Sequence, residues 1–332
     1  MKHTRKSFAV CLAAAAFFMA TPTSYSLDLQ GHRGARGLMP ENTLPAFAHA
    51  LSLGVTTLEL DCAITKDGVV VVSHDPMLNP DITRGPDGKW LEQEGPPIWH
   101  LTFEALKRYD VGRIKPGSAY GKRFPRQQPV DGTRIPRLAD VFALARKAGN
   151  DTVRFNIETK ISPAAPNETT SPEEFARKLI SAVRAAGMAA RTAIQSFDWR
   201  TLQIVQREAP EIPTVYLTAR QSFMDNIQAD KPASPWTASF HVNQFGGSIP
   251  RMIKAAGGAV WSPCYGEATR ENVTEAHDLG LKVVVWTVNS ATDMQRTIEL
   301  GVDGIISDYP DLLRKVTAGK SIALPRATPV VP

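Results

Sequence analysis

Short apolar runs alternate with amphipathic stretches along most of the 332-residue chain, and this alternation restricts the fold more than any other feature. The apolar runs have the length of strands, and the stretches between them have helical spacing and mostly end near a glycine. Such alternation is typical of βα units with parallel strands. The predicted strands occupy residues 27–30, 57–61, 152–158, 192–196, 213–217, 259–262, 282–288 and 304–307.

Eight parallel strands of this kind predict an α/β fold that closes into a (β/α)8 TIM-like barrel. An open, doubly wound sheet is the alternative, but the chain has no glycine-rich dinucleotide or P-loop signature that would favour it. Asn42 is the predicted N-cap of the first helix, which ends at Gly54. Later helices are predicted at residues 138–148, 172–186, 198–208, 249–256, 270–279 and 291–300.

One segment after the second strand breaks this rhythm. Asp67-Gly68 predicts a hairpin turn, so residues 69–74 should return as an antiparallel arm. Residues 77–137 are then rich in proline and glycine, with 11 Lys/Arg against 7 Asp/Glu. A long irregular segment in a compact domain is usually functional, so we predict an inserted cap over the barrel mouth with one helix near 103–109. The sequence leaves two roles open, a structural cover over the rim and direct contact with a ligand.

The ends of the chain differ from the barrel. Residues 1–26 have the basic start, short apolar stretch and small polar exit of a secretory signal peptide, and the stretch is too short to span a bilayer. We therefore expect an exported protein, periplasmic or secreted, without stable membrane insertion. The barrel should occupy residues 27–318, and residues 319–332 should form a C-terminal tail.

Charge and cysteine content narrow the function further. Removing the three cations of the signal segment from the net charge of +5 leaves about +2, so we expect no nucleic-acid partner. Cys62 and Cys264 are the only cysteines outside that segment. They are predicted to be separate buried thiols, although an oxidising compartment would permit a disulfide.

Two acidic residues in the second strand indicate a metal site. In Leu58-Glu59-Leu60-Asp61 the leucines alternate with acids, so Glu59 and Asp61 face the same side of the strand. The opposite face is apolar, and if helices cover it the carboxylates point into the barrel. Like charges that face inward repel and lose hydration, so they need a cation. Two such carboxylates supply half of a site for Mg²⁺ or Ca²⁺.

Other polar side chains stand where the predicted strands end. In a barrel, reactive residues lie at the carboxyl ends of strands, so these side chains should converge. The residues concerned are His32, Arg33, His74, Glu158, Lys160, Gln195, Trp286 and Asp308.

The first third of the chain also carries a dense set of motifs. The run H-R-G…P-E-N-T…A-F…E-L-D…T-K-D-G…V-S-H-D spans residues 32–75. This pattern resembles the glycerophosphodiester phosphodiesterase family, and the likeness continues weakly to the C-terminus, as in an exported bacterial member. The resemblance implies a barrel with a small insertion, a divalent metal and a histidine pair.

The resemblance implies roles for the residues at the matching positions. Glu59, Asp61 and Glu158 would bind one divalent cation, Ca²⁺ or Mg²⁺, since oxygen ligands without Cys or His disfavour zinc. His32 and His74 would be the acid–base pair, with His32 as base and His74 as acid, because histidine titrates near neutral pH.

Arg33 and Lys160 would bind a phosphate, although Lys160 could instead pair with Glu158. Trp286 is either a core residue or a wall for the glycerol moiety, and its place at a strand end favours the wall. Glu41 is predicted to be a loop anchor or a partner that orients a catalytic histidine, and Gln195 is predicted to lie behind the ligand-contacting residues. Asp308 is predicted to support the last loop, and His241 to lie outside the pocket.

The implied activity is metal-dependent hydrolysis of a small-molecule glycerophosphodiester to sn-glycerol 3-phosphate and an alcohol. Attack by the glycerol 2-hydroxyl would give a cyclic phosphate that water then opens. A lysophospholipase D or sphingomyelinase D activity is the second enzymatic reading, and it needs an apolar groove. A phosphodiester-binding protein without turnover is the third, and it has no need of an acid–base pair.

Overall fold

The computed structural model describes residues 26–332. The predicted signal peptide therefore lies, except for Ser26, outside the described residues. The strands are β1 (Asp28–Gly31), β2 (Thr57–Ile64), β3 (Val70–Val72), β4 (Arg154–Thr159), β5 (Thr192–Ser196), β6 (Thr214–Thr218), β7 (Arg220–Gln221), β8 (Met224–Asp225), β9 (Val260–Pro263), β10 (Lys282–Val285) and β11 (Gly304–Ser307). The helices are α1 (Leu44–Leu53), α2 (Phe103–Leu106), α3 (Ala119–Arg123), α4 (Leu138–Lys147), α5 (Pro172–Ala185), α6 (Trp199–Glu208), α7 (Ile249–Ala255), α8 (Arg270–Asp278), α9 (Ala291–Leu300) and α10 (Pro310–Gly319).

Eight of the strands close into a parallel barrel. The order around it is β1, β2, β4, β5, β6, β9, β10 and β11, and β11 pairs with β1 to complete the ring. The helices surround the barrel, and the main apolar core lies between the two layers. The predicted (β/α)8 barrel is confirmed, and all eight predicted strands are present; the seventh is shorter than predicted and ends at Val285.

The predicted return arm is also present as a short strand. β3 pairs antiparallel with the end of β2, with Cys62 opposite Val72. The arm therefore ends beside the carboxyl end of β2, where the acidic residues of that strand lie. This places His74, two residues after β3, at the mouth of the barrel.

The first helix begins one residue later than predicted. Thr43, and not Asn42, is the N-cap of α1, and its hydroxyl accepts a hydrogen bond from the Ala46 amide at 3.3 Å. Asn42 has a left-handed conformation with φ of 55°, and its side chain turns away from the helix towards the barrel. The Asn42 prediction was wrong because a second capping residue follows it directly.

Residues 77–137 lie between β3 and α4 and contain the two short α-helices α2 and α3 and a 3-10 helix, Ile98–His100. The helix predicted near 103–109 is shorter, Phe103–Leu106, and α3 was not predicted at all. A small apolar cluster of its own holds this segment against the β2–β3 hairpin. The cluster consists of Ala63, Val71, Leu78, Ile98, Leu106, Val111 and Ile135.

The last helix and the residues after it pack back on the barrel. Thr328 donates its backbone amide to the carbonyl of Leu51 at 2.9 Å, and Asn150 donates to the Thr328 hydroxyl at 3.0 Å. Within residues 26–332, no helix has both the length and the apolar content needed to cross a bilayer.

Candidate active site

Three carboxylates from two neighbouring strands meet inside the barrel mouth. In the register of β2 and β4, Asp61 lies opposite Glu158, and Glu59 comes two residues earlier on the same face. One oxygen of each of the three carboxylates lies within 4.8 Å of the others, and all three residues are buried. The alternation seen in the sequence therefore does turn both acids of β2 inward, as predicted.

The electrostatics of this cluster favour a cation. Burial, and then the charge of Asp61, raise the pKa of Glu59 well above its usual range. Burial likewise raises the pKa of Glu158 to about 7. Asp61 Oδ1 is buried without a hydrogen bond and lies 4.0 Å from Lys160 Nζ. A buried set of oxygen ligands with an unsatisfied oxygen fits a divalent cation of the Mg²⁺ or Ca²⁺ type.

Amide side chains fix the orientation of these carboxylates. Gln195 donates to Glu59 Oε1 at 2.7 Å, and Asn156 donates in turn to Gln195 at 2.8 Å. Asn42 donates to Asp61 Oδ2 at 2.9 Å. Gln195 thus lies behind the acidic cluster as the sequence suggested, whereas the same function of Asn42 was missed because the residue was assigned to the helix cap.

His32 follows β1 and is held by Asp308. The Nδ1 of His32 is 2.6 Å from Asp308 Oδ1, while its Nε2 is 3.9 Å from Glu59 Oε2. Burial, followed by the charge of Arg36, lowers the pKa of His32 to about 4, so the ring is neutral near pH 7. Since an ionised Asp308 accepts the Nδ1 proton, Nε2 carries the free lone pair and faces the acidic cluster.

Asp308 is itself held by three donors. Arg36 donates to both of its oxygens, at 2.7 and 3.0 Å, and Asn289 donates to Oδ2 at 2.7 Å. Burial opposes ionisation, but Arg36 holds the pKa of Asp308 well below its usual range. Asp308 therefore orients His32, which corrects the expectation that it merely supports the last loop.

His74 is likewise held by an aspartate. Its Nδ1 is 2.7 Å from Asp75 Oδ1, and Asn79 donates to the second oxygen of Asp75 at 2.7 Å. The Nε2 of His74 is 3.1 Å from Lys160 Nζ. Burial, and then the charge of Arg33, lower the pKa of His74. Each histidine thus has its Nδ1 on an aspartate, while its Nε2 lies near Glu59 in His32 and next to Lys160 in His74.

The two predicted phosphate-binding cations are paired with carboxylates. Lys160 Nζ lies 2.8 Å from Glu158 Oε1, which is the alternative contact raised for it above. Arg33 Nη1 donates to Glu41 Oε1 at 2.6 Å, and its Nε lies 3.4 Å from Asp61 Oδ2. Glu41 therefore anchors Arg33, and it does not orient a histidine.

The chain turns sharply at Arg33 to make these contacts. Arg33 has a φ of 50°, and its backbone amide donates to Glu59 Oε2 at 2.8 Å. Gly34 follows with a φ of 84°, and a Cβ at this position would lie 2.9 Å from Ala46. The glycine thus permits the close packing of this turn on α1.

A cavity of about 760 Å³ opens above the cluster and contains most of the predicted site. Residues of the 77–137 segment also line it, namely Asn79, Tyr120, Arg123 and Phe124. The hydroxyl of Tyr120 donates to Glu41, so this segment reaches the carboxylate that holds Arg33. The sequence offered no signal for this contact, because 79 residues separate the two side chains.

Of the remaining predicted residues, some line this cavity and others lie outside it. Trp286 lines the cavity, and its indole Nε1 donates to the carbonyl of Ser262 at 2.9 Å. His241 does not line it and instead caps a short 3-10 helix, Val242–Phe245. Cys62 and Cys264 are both free thiols. Cys62 is buried, but Cys264 is only partly buried and faces the cavity, so the prediction that both are buried was wrong for Cys264.

Fold and site together define an enzyme of the TIM-barrel class, with an acidic cluster suited to a divalent cation at the carboxyl ends of the strands. Comparison with known proteins gives the family. Residues 32–312 match the glycerophosphoryl diester phosphodiesterase family, and the chain belongs to this family.

Individual relatives agree with this assignment. A glycerophosphodiester phosphodiesterase of Caldanaerobacter subterraneus subsp. tengcongensis is 30% identical over 282 residues, which are 85% of this chain and 94% of the relative. A crystal structure from Silicibacter pomeroyi has a TM-score of 0.80 and 35% identity, covering 91% of this chain and 96% of the other. A phosphodiesterase from Oleispira antarctica, in complex with the product sn-glycerol-3-phosphate, shares the fold with a TM-score of 0.62 at 20% identity, covering 89% and 98% of the two chains.

Proposed function

We propose that this enzyme hydrolyses glycerophosphodiesters to sn-glycerol 3-phosphate and an alcohol. The observation that carries the proposal is the pair of histidines, each held at Nδ1 by an aspartate, with Nε2 near Glu59 in His32 and next to Lys160, the partner of Glu158, in His74. A diester needs one group that removes a proton from the nucleophile and another that protonates the leaving alkoxide. A binding protein has no need of two oriented imidazoles.

Glu59, Asp61 and Glu158 would hold one divalent cation, either Ca²⁺ or Mg²⁺. When bound, the cation supplies positive charge for a phosphoryl oxygen and the attacking hydroxyl. Arg33 and Lys160 add cationic donors beside it, Arg33 as a planar fork and Lys160 as a point charge. A phosphate bound here competes with Glu41 for Arg33 and with Glu158 for Lys160.

His32 is the better candidate for the base. Its pKa of about 4 keeps it neutral at physiological pH, with the Nε2 lone pair free to accept a proton from the substrate's glycerol 2-hydroxyl. The hydroxyl oxygen then forms a bond to phosphorus, the bond to the alcohol breaks, and a cyclic phosphate results. Water opens the ring in a second step with the proton transfers reversed.

His74 is the matching candidate for the acid. Asp75 stabilises an imidazolium at this position, and Arg33 and Lys160 oppose it. A bound phosphate offsets those two positive charges, so substrate binding favours the protonated form of His74. The proton then passes from its Nε2 to the leaving alkoxide.

We also propose that the protein is exported, to the periplasm or outside the cell. This rests on the signal-like composition of residues 1–26 alone.

The test of the reaction is release of glycerol 3-phosphate from glycerophosphocholine by the purified enzyme with Ca²⁺, with Mg²⁺ and after EDTA. We expect release with at least one cation and none after EDTA. His32→Gln should lower kcat by about 10²- to 10⁴-fold. The matched control is His49→Gln on α1, outside the cavity, which should retain kcat. A folded enzyme that releases no product with either cation would refute the proposal.

A second candidate is hydrolysis of a lysolipid, in which the glycerol carries an acyl chain. It is favoured by Phe223, which lines the cavity mouth with 70% of its surface exposed and offers an apolar contact outside the acidic cluster. Choline is released from both glycerophosphocholine and lysophosphatidylcholine, so an assay of choline release, at lysolipid concentrations below micelle formation, compares kcat/KM for the two substrates. A higher kcat/KM for the water-soluble diester would eliminate this candidate.

A further inference from the structure

Three amide side chains lie in the barrel interior next to the acidic cluster, where barrels of this class usually carry branched apolar residues. They are Gln30 of β1, Asn156 of β4 and Gln195 of β5, and at most 3% of each is exposed. In the register of β2 and β4, Asn156 lies opposite Glu59. Buried amides are unfavourable unless their polar groups find partners, so their hydrogen bonds indicate what these residues do.

The hydrogen bonds join these amides into one chain between two carboxylates. Gln30 Nε2 donates to Asp28 Oδ2 at 3.0 Å. At the other end, Gln195 Nε2 donates to Glu59 Oε1 at 2.7 Å. Asp28 is paired with Arg154, whose Nη2 lies 3.0 Å from the same Oδ2, and Glu59 would ligate the cation. Because ionised carboxylates only accept hydrogen bonds, the NH2 groups of both glutamines face the ends of the chain and their oxygens face its middle.

Asn156 lies at the middle of the chain and donates in both directions. Its Nδ2 gives one hydrogen to Gln30 Oε1 at 3.0 Å and the other to Gln195 Oε1 at 2.8 Å. A position between two acceptors requires a group with two hydrogens, and an amide NH2 meets this requirement. The arrangement has a cost, because Asn156 Oδ1 is buried without a hydrogen-bond partner among residues 26–332. An unpaired buried oxygen of this kind calls for an explanation, and the double donation of Nδ2 supplies it.

The double donation also fixes which atom of Gln195 meets Glu59. Asn156 occupies Gln195 Oε1, so the NH2 group of the same amide is directed at the carboxylate. Without this contact the amide of Gln195 is free to turn over and present its oxygen to Glu59. Two oxygens would then face each other, and the donor that holds Glu59 in place would be lost.

We propose that Asn156 and Gln30 are positioning residues for the cation site, which act on Glu59 through Gln195. They hold the Gln195 NH2 group on Glu59 before a cation arrives, so the ligand is already oriented when the cation binds. Partners that orient a metal ligand typically change metal affinity by about 10- to 100-fold. This role rests on the cation site of the proposed function and deepens it with two residues that do not line the cavity.

Calorimetric titration of Ca²⁺ and of Mg²⁺ into the purified enzyme tests this role without turnover. Asn156→Leu keeps the approximate size of the side chain and removes both donations, so Kd for the cation should rise by about 10- to 100-fold. Gln30→Leu removes only the second acceptor of Asn156, and Kd should rise by about two- to tenfold, as for loss of one hydrogen bond. If Asn156→Leu does not fold, Gln30→Leu decides, and an unchanged Kd there overturns the positioning role.

Asn150→Leu is the matched control, because it replaces a buried asparagine outside the cavity. Asn150 donates to the Thr328 hydroxyl at 3.0 Å and accepts from the Val153 amide at 2.7 Å. Its loss should lower Tm while Kd for the cation stays within about twofold of the parent, since the two sites share no partner. An equal rise of Kd in Asn150→Leu and Asn156→Leu would overturn the positioning role, because Kd would then follow stability and not the orientation of Glu59.

Glycerol 3-phosphate release from glycerophosphocholine separates this role from the reaction itself. In Asn156→Leu the cation concentration for half-maximal release should rise with Kd, and release at saturating cation should approach that of the parent. A folded Asn156→Leu enzyme with the Kd of the parent would overturn the positioning role and leave the diesterase function standing. If the parent binds the cation but releases no product, the diesterase function fails, and a raised Kd in Asn156→Leu still supports the positioning role. If the parent binds neither cation, the cation site and the positioning role fall together.

Discussion

Replacement of Asp308 by asparagine tests whether His32 acts as the general base, because it changes the proton on the imidazole ring while keeping the size of the side chain next to it. The substitution keeps the size of the side chain but removes the charge that accepts from His32 Nδ1 at 2.6 Å and from Arg36 at 2.7 and 3.0 Å. An amide no longer fixes the proton on Nδ1, so the tautomer with a free Nε2 is not enforced. Loss of the negative charge also lowers the basicity of His32, since Asp308 opposes the effect of Arg36 on its pKa.

Two magnitudes follow from this contact. Loss of an oriented general base should lower kcat by about 10²- to 10⁴-fold, with little change in KM. Arg36 is buried and loses its ionic partner, so the free energy of unfolding should fall by about 3 kcal/mol. In a domain of about 290 residues such a loss lowers Tm by about 5 °C.

The assay is glycerol 3-phosphate release at a temperature well below the Tm of the variant, together with a thermal unfolding curve. Asp311→Asn is the matched control, because Asp311 forms a partly exposed pair with Arg126 and should cost less than about 1 kcal/mol without affecting kcat. A folded Asp308→Asn enzyme whose kcat stays within about threefold of the parent would refute the reasoning, since general base catalysis contributes far more than that.

Two other predictions concern the cation and the segment above the barrel. Since burial raises the pKa of Glu158 to about 7, the metal-free enzyme holds protons that cation binding must displace. Calorimetry in buffers of different ionisation enthalpy should therefore detect proton release on Ca²⁺ or Mg²⁺ binding at pH 6.5 and much less at pH 9; absence of release at pH 6.5 would contradict the raised pKa. Tyr120→Phe removes the hydroxyl that donates to Glu41, so kcat/KM should fall by about two- to tenfold, as for loss of one hydrogen bond. Tyr109→Phe, also in the 77–137 segment but outside the cavity, should change kcat/KM by less than about twofold if the effect is specific to that hydrogen bond.

The barrel could be predicted from sequence because its signals are local. Each strand is a short apolar run between turn residues, and the next helix follows within a few positions. Positions where two adjacent residues are both suited to the same role were harder to assign. Asn42 is a good N-cap residue by type, yet Thr43 directly after it takes that position and leaves Asn42 free to bind Asp61. Propensity alone does not choose between two adjacent capping residues.

The acidic cluster could be predicted for the same reason, because alternation along β2 fixes which side Glu59 and Asp61 face. The groups that orient the histidines could not be assigned in this way. Asp308 is 276 residues from His32 in sequence, and the two meet because closure of the barrel pairs β11 with β1. The sequence did place Asp308 at a strand end, but its partner depends on the order of strands around the ring.

The 77–137 segment contributes more than a cover over the rim. If the segment only excluded water from the cavity, apolar side chains such as Phe124 would be sufficient. Tyr120 instead donates to Glu41, which in turn binds Arg33 beside the acidic cluster. Arg33 and Glu41 are buried. A change in the position of α3 would therefore alter the contact of Glu41 with Arg33, the group that we propose binds the phosphate. We therefore expect the segment to affect turnover through Glu41, a side chain that does not line the cavity above the acidic cluster.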